Sequence, residues 1–246
     1  MELSKQLTVV LTTHILPTAP STYIIEECIK SIREQFEGIN ECKFLIVCDV
    51  KNPNSSTTKE YINNLRKIKN IDLVESPNSS LQINYNKAID LITTPFMLFV
   101  EHDWIFLNKI NLTNLLKTIS ENIFINFIRF NKRDNFKAHI DNPEPGDGDF
   151  WETHIEIETK DLPSPLIKTN CFATHPHIIR VSKFINDWRI LLKTFSIEWD
   201  IHEKYNEAIN KYGFIEAHNT WGIYNYGKIN DKKIITHLDG SNSGRI

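Results

Sequence analysis

The sequence predicts an α/β protein with a doubly wound, mostly parallel sheet, and three observations carry that expectation. Short apolar or β-branched runs recur through the first 105 residues, at 7–12, 44–48, 71–74 and 96–100. Stretches with apolar residues at helical spacing separate them, which is the rhythm of βαβ units. Two of the runs end abruptly in carboxylates, one in Asp49 and the other in Glu101-His102-Asp103. In open sheets of this kind ligands sit at the carboxyl ends of the strands.

Residues 7–12 (LTVVLT) form the first strand and lead through Thr13-His14 into a proline-bearing loop. Behind Pro20, Ser21 can cap a helix in which Ile24, Ile25, Cys28, Ile29, Ile32 and Phe36 fall on one face. The second strand, 44–48, carries Asp49 at its tip. Thr57 and Glu60 have the spacing of a capping box, so a helix is expected from there through Lys67. A short third strand at 71–74 is followed by the turn chemistry of Pro77-Asn78-Ser79-Ser80 and by a helix over 81–92. Phe96 to Val100 is apolar throughout, as a strand covered on both faces must be. Right-handed crossovers are expected between these parallel strands.

After residue 105 the rhythm changes. A helix is expected over 111–122, a strand over 123–130, and a return to the core over 169–180. Helices around 184–195 and over 197–212 come next, then an aromatic stretch at 221–227. Between them, residues 131–165 are polar, with five acidic residues from Asp141 to Glu152. A stretch of that length reads as a functional loop or flap.

A net charge of −3 with scattered lysines argues against duplex nucleic acid as a partner. The four cysteines lack C-x-x-C spacing, so reduced, partly buried thiols of a cytoplasmic protein are expected. The first residues hold too short an apolar run for a signal peptide, and no stretch approaches the roughly 18 to 20 apolar residues of a membrane span.

Tyr85-Asn86-Lys87-Ala88-Ile89-Asp90 lies in the third helix, and Glu101 to Asp103 stand 15 to 17 residues after Asn86. In this register the first 105 residues resemble the nucleotide-binding half of a GT-A glycosyltransferase, closest in pattern to the family 2-like inverting enzymes. That family has Arg-Asn where Tyr85-Asn86 stands, and Asp-x-Asp where this chain has Glu-His-Asp. The resemblance implies a single GT-A-like (Rossmann-like) α/β/α sandwich. Residues 1–105 would bind the nucleotide sugar, and 106–246 would build the acceptor side, with the loop 131–165 and a C-terminal lid.

It also implies a hexosyltransferase that moves a sugar from a nucleotide diphosphate sugar, a UDP-sugar above all, to a hydroxyl of a glycan or other acceptor. Inversion and dependence on Mn²⁺ or Mg²⁺ are expected with it. A cation stabilises the departing diphosphate as a Lewis acid and is held through oxygens. Asp103 is the expected direct ligand. Glu101 would face the sugar, the ribose or a water of the shell, and His102 and Asn86 would belong to the same nucleotide-sugar site. Asp49 would accept from a uracil-type base, and Thr12 and Thr13 would line its pocket. His237 is expected to complete the metal shell, since imidazole suits Mn²⁺ better than Mg²⁺. Gly240, Gly244 and Arg245 would let the tail fold over the diphosphate, with Arg245 supplying charge. The general base is expected in Glu198-Trp199-Asp200, with Asp200 ahead of Glu198. Only one of the two can face the site, because i and i+2 point differently around a helix. Among Trp151, Trp188, Trp199, Trp221, Tyr224 and Tyr226, sugar stacking and core packing both stay open.

Two other readings stand beside this one. A non-catalytic nucleotide- or glycan-binding module on a degenerate transferase fold is motivated by Tyr85 and Glu101. A nucleotidyltransferase would use a related sheet, but the first loop, TTHILPTAP, has no glycine to cradle phosphate.

Overall fold

The computed structural model describes residues 2–15, 18–77, 79–135, 157–159, 162–194 and 196–238. In chain order the first elements are β1 (Leu7–His14), α1 (Tyr23–Gln35), β2 (Lys43–Val50), α2 (Ser56–Leu65), β3 (Asp72–Pro77), α3 (Leu81–Leu91), β4 (Phe96–Glu101) and β5 (Trp104–Phe106). Next come α4 (Leu112–Glu121), β6 (Phe127–Arg129), β7 (Ile157–Glu158), β8 (Leu166–Lys168), β9 (His177–Arg180) and α5 (Val181–Lys183). The last are α6 (Ile197–Tyr212), α7 (Phe214–Trp221), β10 (Ile223–Tyr226) and β11 (Ile235–His237). The chain divides into two compact units, residues 1–113 with 235–246, and residues 114–234.

In the first unit the strands lie in the order β3-β2-β1-β4, all parallel. Chain order runs outward from β1 to β3 and then jumps back across β1 to β4. With right-handed crossovers, α1 and α2 cover one face and α3 the other. Burial agrees: Val9, Val10, Leu11, Ile46, Val47, Leu98, Phe99 and Val100 are all fully buried, as a sheet covered on both faces requires. A two-stranded antiparallel ribbon joins β5 to β11, with His237 opposite Trp104.

The second unit is a mixed sheet. β6 pairs antiparallel with β9 and parallel with β10, which pairs antiparallel with β8, and β8 with β7. Its core is aromatic. Phe172 sits edge-on to Trp188 at 5.8 Å, Trp188 stacks on Trp221 at 5.8 Å, and Tyr205 meets Trp221 at 5.3 Å. Trp188 and Trp221 thus serve as packing, and Tyr224 is buried in the same unit.

Several expected boundaries move. α2 begins at Ser56, and Ser55 caps it without a side-chain bond, so Thr57 and Glu60 form no capping box. The buried stripe Thr58, Tyr61, Ile62, Leu65 and the turn closed by Ser55 N–H to the Asn52 carbonyl set the start instead. α1 starts at Tyr23, with Ser21 Oγ accepting from the Tyr23 N–H at 3.3 Å. The strand expected over 123–130 shrinks to β6, because Ile123 and Phe124 turn outward, 71% and 63% exposed. The helix expected around 184–195 begins earlier, as α5, and continues through a π turn (Phe184–Trp188) and a 3-10 turn (Arg189–Leu191). Trp151, most of the 131–165 stretch, and the tail with Gly240, Gly244 and Arg245 lie outside the described residues.

The four cysteines are buried, more fully than expected, and burial pushes the Cys42 and Cys48 thiols up to about 11 and about 12. Among the described residues no helix is long and apolar enough to cross a membrane.

Two buried histidines make stability depend on pH. Burial drives His177 down to about 3 and His218 to about 4, overcoming their bonds to the carbonyls of His175 and Ile223. Both rings stay neutral in the fold while the unfolded chain takes up protons below about pH 6.5, so stability falls as pH drops through that value. Between about pH 6.5 and about pH 5 each ring comes to cost about 1.4 kcal/mol per pH unit. Urea midpoints across that window should decline steadily; a flat profile would mean that the rings protonate inside the fold. Gly222 closes α7 in the left-handed region, φ 64°, and a Cβ there would lie 1.9 Å from the Phe124 carbonyl oxygen. Gly222→Ala should therefore cost about 3 kcal/mol or more, read as a lowered urea midpoint.

Candidate functional site

The reversal of strand order places a switch point between β1 and β4, and their carboxyl tips carry Thr12, Thr13, Glu101, His102 and Asp103. Thr12 faces Glu101 in register, and the Thr12 carbonyl accepts the His102 N–H at 3.0 Å. Thr13 Oγ1 shares a hydrogen bond of 2.9 Å with the Tyr61 hydroxyl of α2 and donates to the His14 carbonyl at 3.3 Å. Thr12 and Thr13 are both buried, so each fixes a strand tip rather than projecting freely. The His14 ring meets the His102 ring edge-on at 4.9 Å, which brings two imidazoles together across the switch point.

Asp49 ends β2 opposite His14. Its Oδ1 accepts the Ser79 N–H at 3.1 Å, and Ser79 stands just ahead of α3, where Ser80 Oγ accepts from the Ile83 N–H at 3.3 Å. The carboxylate at the second strand tip therefore holds the start of α3. Asn86 lies half-buried on that helix, which packs across β2 and β1. Tyr85, where the resemblance has an arginine, is buried in the core with its ring 4.7 Å from that of Phe99.

Asp103 and His237 come together although 134 residues separate them. Asp103 Oδ2 lies 3.2 Å from His237 Nδ1, the His237 ring lies tilted against Trp104 with centroids 3.6 Å apart, and the Leu238 N–H donates to the Asp103 carbonyl at 2.8 Å. The β5–β11 ribbon is the device that carries the histidine to the motif. Burial works to raise the Asp103 pKa, but the His237 hydrogen bond and the neighbouring imidazoles outweigh it and hold the carboxyl below its usual range. Among the described residues no group of three or more His, Cys, Asp or Glu converges as a ready-made cage. A carboxylate with an adjacent imidazole still suits a cation that keeps waters and takes phosphate oxygens to complete its shell.

Glu198 and Asp200 open α6 in the second unit, where Ser196 Oγ accepts the Trp199 N–H at 3.2 Å. Asp200 is buried, and its Oδ2 accepts from both the Lys193 and the Thr194 N–H at 2.8 Å, clamping the preceding loop. Glu198 is half-buried, and its Oε2 accepts from the Thr174 N–H at 3.1 Å and the Thr174 hydroxyl at 2.9 Å. Trp199 between them is 47% exposed. His14 and Thr174 were not singled out as partners in the sequence; only the pairing of strand tips and the folding of the 169–176 stretch onto α6 bring them in.

No protein-family model matches the chain, and no curated protein sequence matches it. Solved structures do. A crystal structure of S. aureus TarS 1-349 superposes with a TM-score of 0.51 at 15% identity, covering 94% of this chain and 59% of that one. The same protein in complex with UDP-GlcNAc gives 0.51 at 16% identity, covering 98% and 62%. The fold is GT-A. The chain spans about three-fifths of each of these relatives' length. In the GT-A frame, Thr12, Thr13, Asp49, Asn86, Glu101, His102, Asp103 and His237 belong to one unit, and Glu198 and Asp200 to the other.

The Asp103–His237 bond makes a direct prediction. In His237→Ala the Asp103 carboxyl should return toward the ordinary carboxylate range, followed by carboxyl-carbon NMR titration. An unchanged titration would show that the imidazole is not what holds it down.

Proposed function

We propose that this chain is a glycosyltransferase that takes its sugar from a nucleotide diphosphate sugar, most naturally a UDP-sugar, and delivers it with inversion to a hydroxyl acceptor. The observation that carries the reading is the gathering of Thr12, Asp49, Glu101 and Asp103 at the tips around a switch point, on a fold shared with a protein crystallised with UDP-GlcNAc. Asp49 accepts from the base with the oxygen that Ser79 leaves open, and Thr12 and Thr13 keep its wall rigid. Asp103 and His237 would hold Mn²⁺ or Mg²⁺, which when bound supplies Lewis-acid stabilisation to the leaving diphosphate. Glu101 and His102 contact the ribose and sugar side of the donor.

For the base we assign Glu198, reversing the order expected from the sequence. Asp200 is buried and already accepts two backbone N–H bonds that define the loop before α6, whereas Glu198 is more exposed and is held by Thr174 through one oxygen only. An inverting transfer needs one carboxylate to take the acceptor hydroxyl proton, and the Thr174 bonds orient Glu198 for that step. The second reading, a binding module without turnover, draws on the burial of Tyr85 where the resemblance implies an arginine.

Titration calorimetry with UDP and Mn²⁺, followed by UDP release from a panel of UDP-sugars with and without acceptors, separates these. The transferase reading expects turnover, lost by about 10²-fold or more in Glu198→Gln with UDP affinity intact, and weaker metal-dependent binding in Asp103→Asn. Binding without turnover for every donor would favour the module. No UDP binding, or binding indifferent to Asp49→Ala and Asp103→Asn, would sink the transferase.

A further inference from the structure

Helix α3 carries an anomaly that its packing does not absorb. Gln82 Oε1 and Asn86 Oδ1 are buried, and among the described residues neither oxygen has a hydrogen-bond partner. An acceptor withdrawn from water without a donor costs free energy, so native structures leave few of them, and each one asks for what fills it. Four residues apart, the two side chains project from one flank of the helix.

The packing of α3 says which flank. Lys87 Nζ donates to the Glu75 carbonyl at 2.8 Å, so that side faces β3, whereas Tyr85 packs against Phe99 of β4. At about 100° per residue, Gln82 and Asn86 lie about 140° and about 100° around from Lys87, on the side turned from β3 toward β4. α3 begins beside Asp49 at the carboxyl edge of the sheet, so its first turns are the part nearest the strand tips. Asn84 Oδ1 is also without a partner among the described residues, but it falls on the β3 side and stands apart from the pair.

We propose that Gln82 and Asn86 form a carboxamide pair that accepts hydrogen bonds from hydroxyl groups of the bound nucleotide sugar. This rests on the transferase reading and deepens it. A neutral carbonyl oxygen attracts O–H and N–H donors and gives nothing to a phosphate, which is itself an acceptor. Where the resemblance has an arginine at position 85, this chain buries a tyrosine and offers two carbonyl acceptors on the neighbouring flank. The pair adds the uncharged hydroxyls of the ribose or of the transferred sugar to what the site recognises.

Calorimetry on the full chain with Mn²⁺ tests this and distinguishes the two sources. UDP against 2′,3′-dideoxy-UDP reads the ribose hydroxyls; the best-bound UDP-sugar against UDP reads those of the sugar. Wild type should prefer the hydroxyl-bearing member of at least one pair by about tenfold. Gln82→Met with Asn86→Leu should erase that preference, while Gln82→Glu, which keeps an oxygen, should retain it. Without nucleotide, the Met/Leu double variant should melt no lower than wild type, because it removes two unsatisfied acceptors. A preference unchanged in the double variant, or a lowered melting temperature with unchanged binding, would overturn the pair's role. If wild type binds UDP but shows neither preference, the pair is likewise overturned while the transferase reading stands. If wild type binds no UDP or UDP-sugar, both fail together.

Discussion

The pairing of β1 with β4 is the constraint on which the rest of the first unit depends. β1 is the strand from which the chain winds outward to β2 and β3 and across which it returns. Parallel strands satisfy their backbone groups laterally and bury both faces, so only their ends can meet a ligand. Right-handed crossovers send α1 and α2 to one face and α3 to the other, and the tips of β1 and β4 are left between them. The ladder that sets Thr12 against Glu101 also fixes His14 beside His102 and aims the chain into Asp103. β5 leaves directly from Asp103, so the ribbon that returns His237 to that carboxylate hangs from the same register.

The candidate carboxylates, two in each unit, fall into two physical kinds. Asp49 and Asp200 are buried and accept backbone N–H bonds, which compensates the loss of hydration and at the same time ties a loop to an element. Asp103 and Glu198 are partly exposed, and each is oriented by one other residue: Asp103 by the His237 ring, and Glu198 by Thr174, whose N–H and hydroxyl both reach a single carboxylate oxygen. A group whose bonds hold the backbone is poorly placed to exchange a proton or a ligand without loosening the fold. A group oriented by a single neighbour is already positioned and still able to react. That difference underlies the assignment of Glu198 over Asp200 in the proposed mechanism.

The apolar runs and their carboxylate ends were legible because burial leaves a direct imprint on composition. A strand covered on both faces must read as Phe-Met-Leu-Phe-Val, and its exit into solvent must read as polar. The α/β class rests on that imprint and the GT-A likeness on the register from Asn86 to Glu101-His102-Asp103, and the solved structures that superpose on the chain bear out the fold. Boundaries were less legible where local chemistry and packing compete. Thr57 and Glu60 match a capping box, but the stripe of Thr58, Tyr61, Ile62 and Leu65 decides where α2 turns against the sheet. Ile123 and Phe124 look like strand, but Gly222, whose carbonyl takes the Asn126 and Phe127 N–H groups, lets pairing begin only at β6.

By itself, then, the sequence determined the alternation of strands and helices, the polarity of the strand tips and the set of side chains available there. Periodicity and composition are local, and these properties are consequences of local burial. Only the tertiary structure decided which of those side chains meet. Asp103 and His237 are joined by a ribbon closing over 134 residues, Thr174 is brought to Glu198, and two carboxamide oxygens of α3 are buried with no donor among the described residues. Hydrogen bonds depend on distances and directions that the chain acquires only when elements far apart in sequence pack together, and no local pattern encodes them.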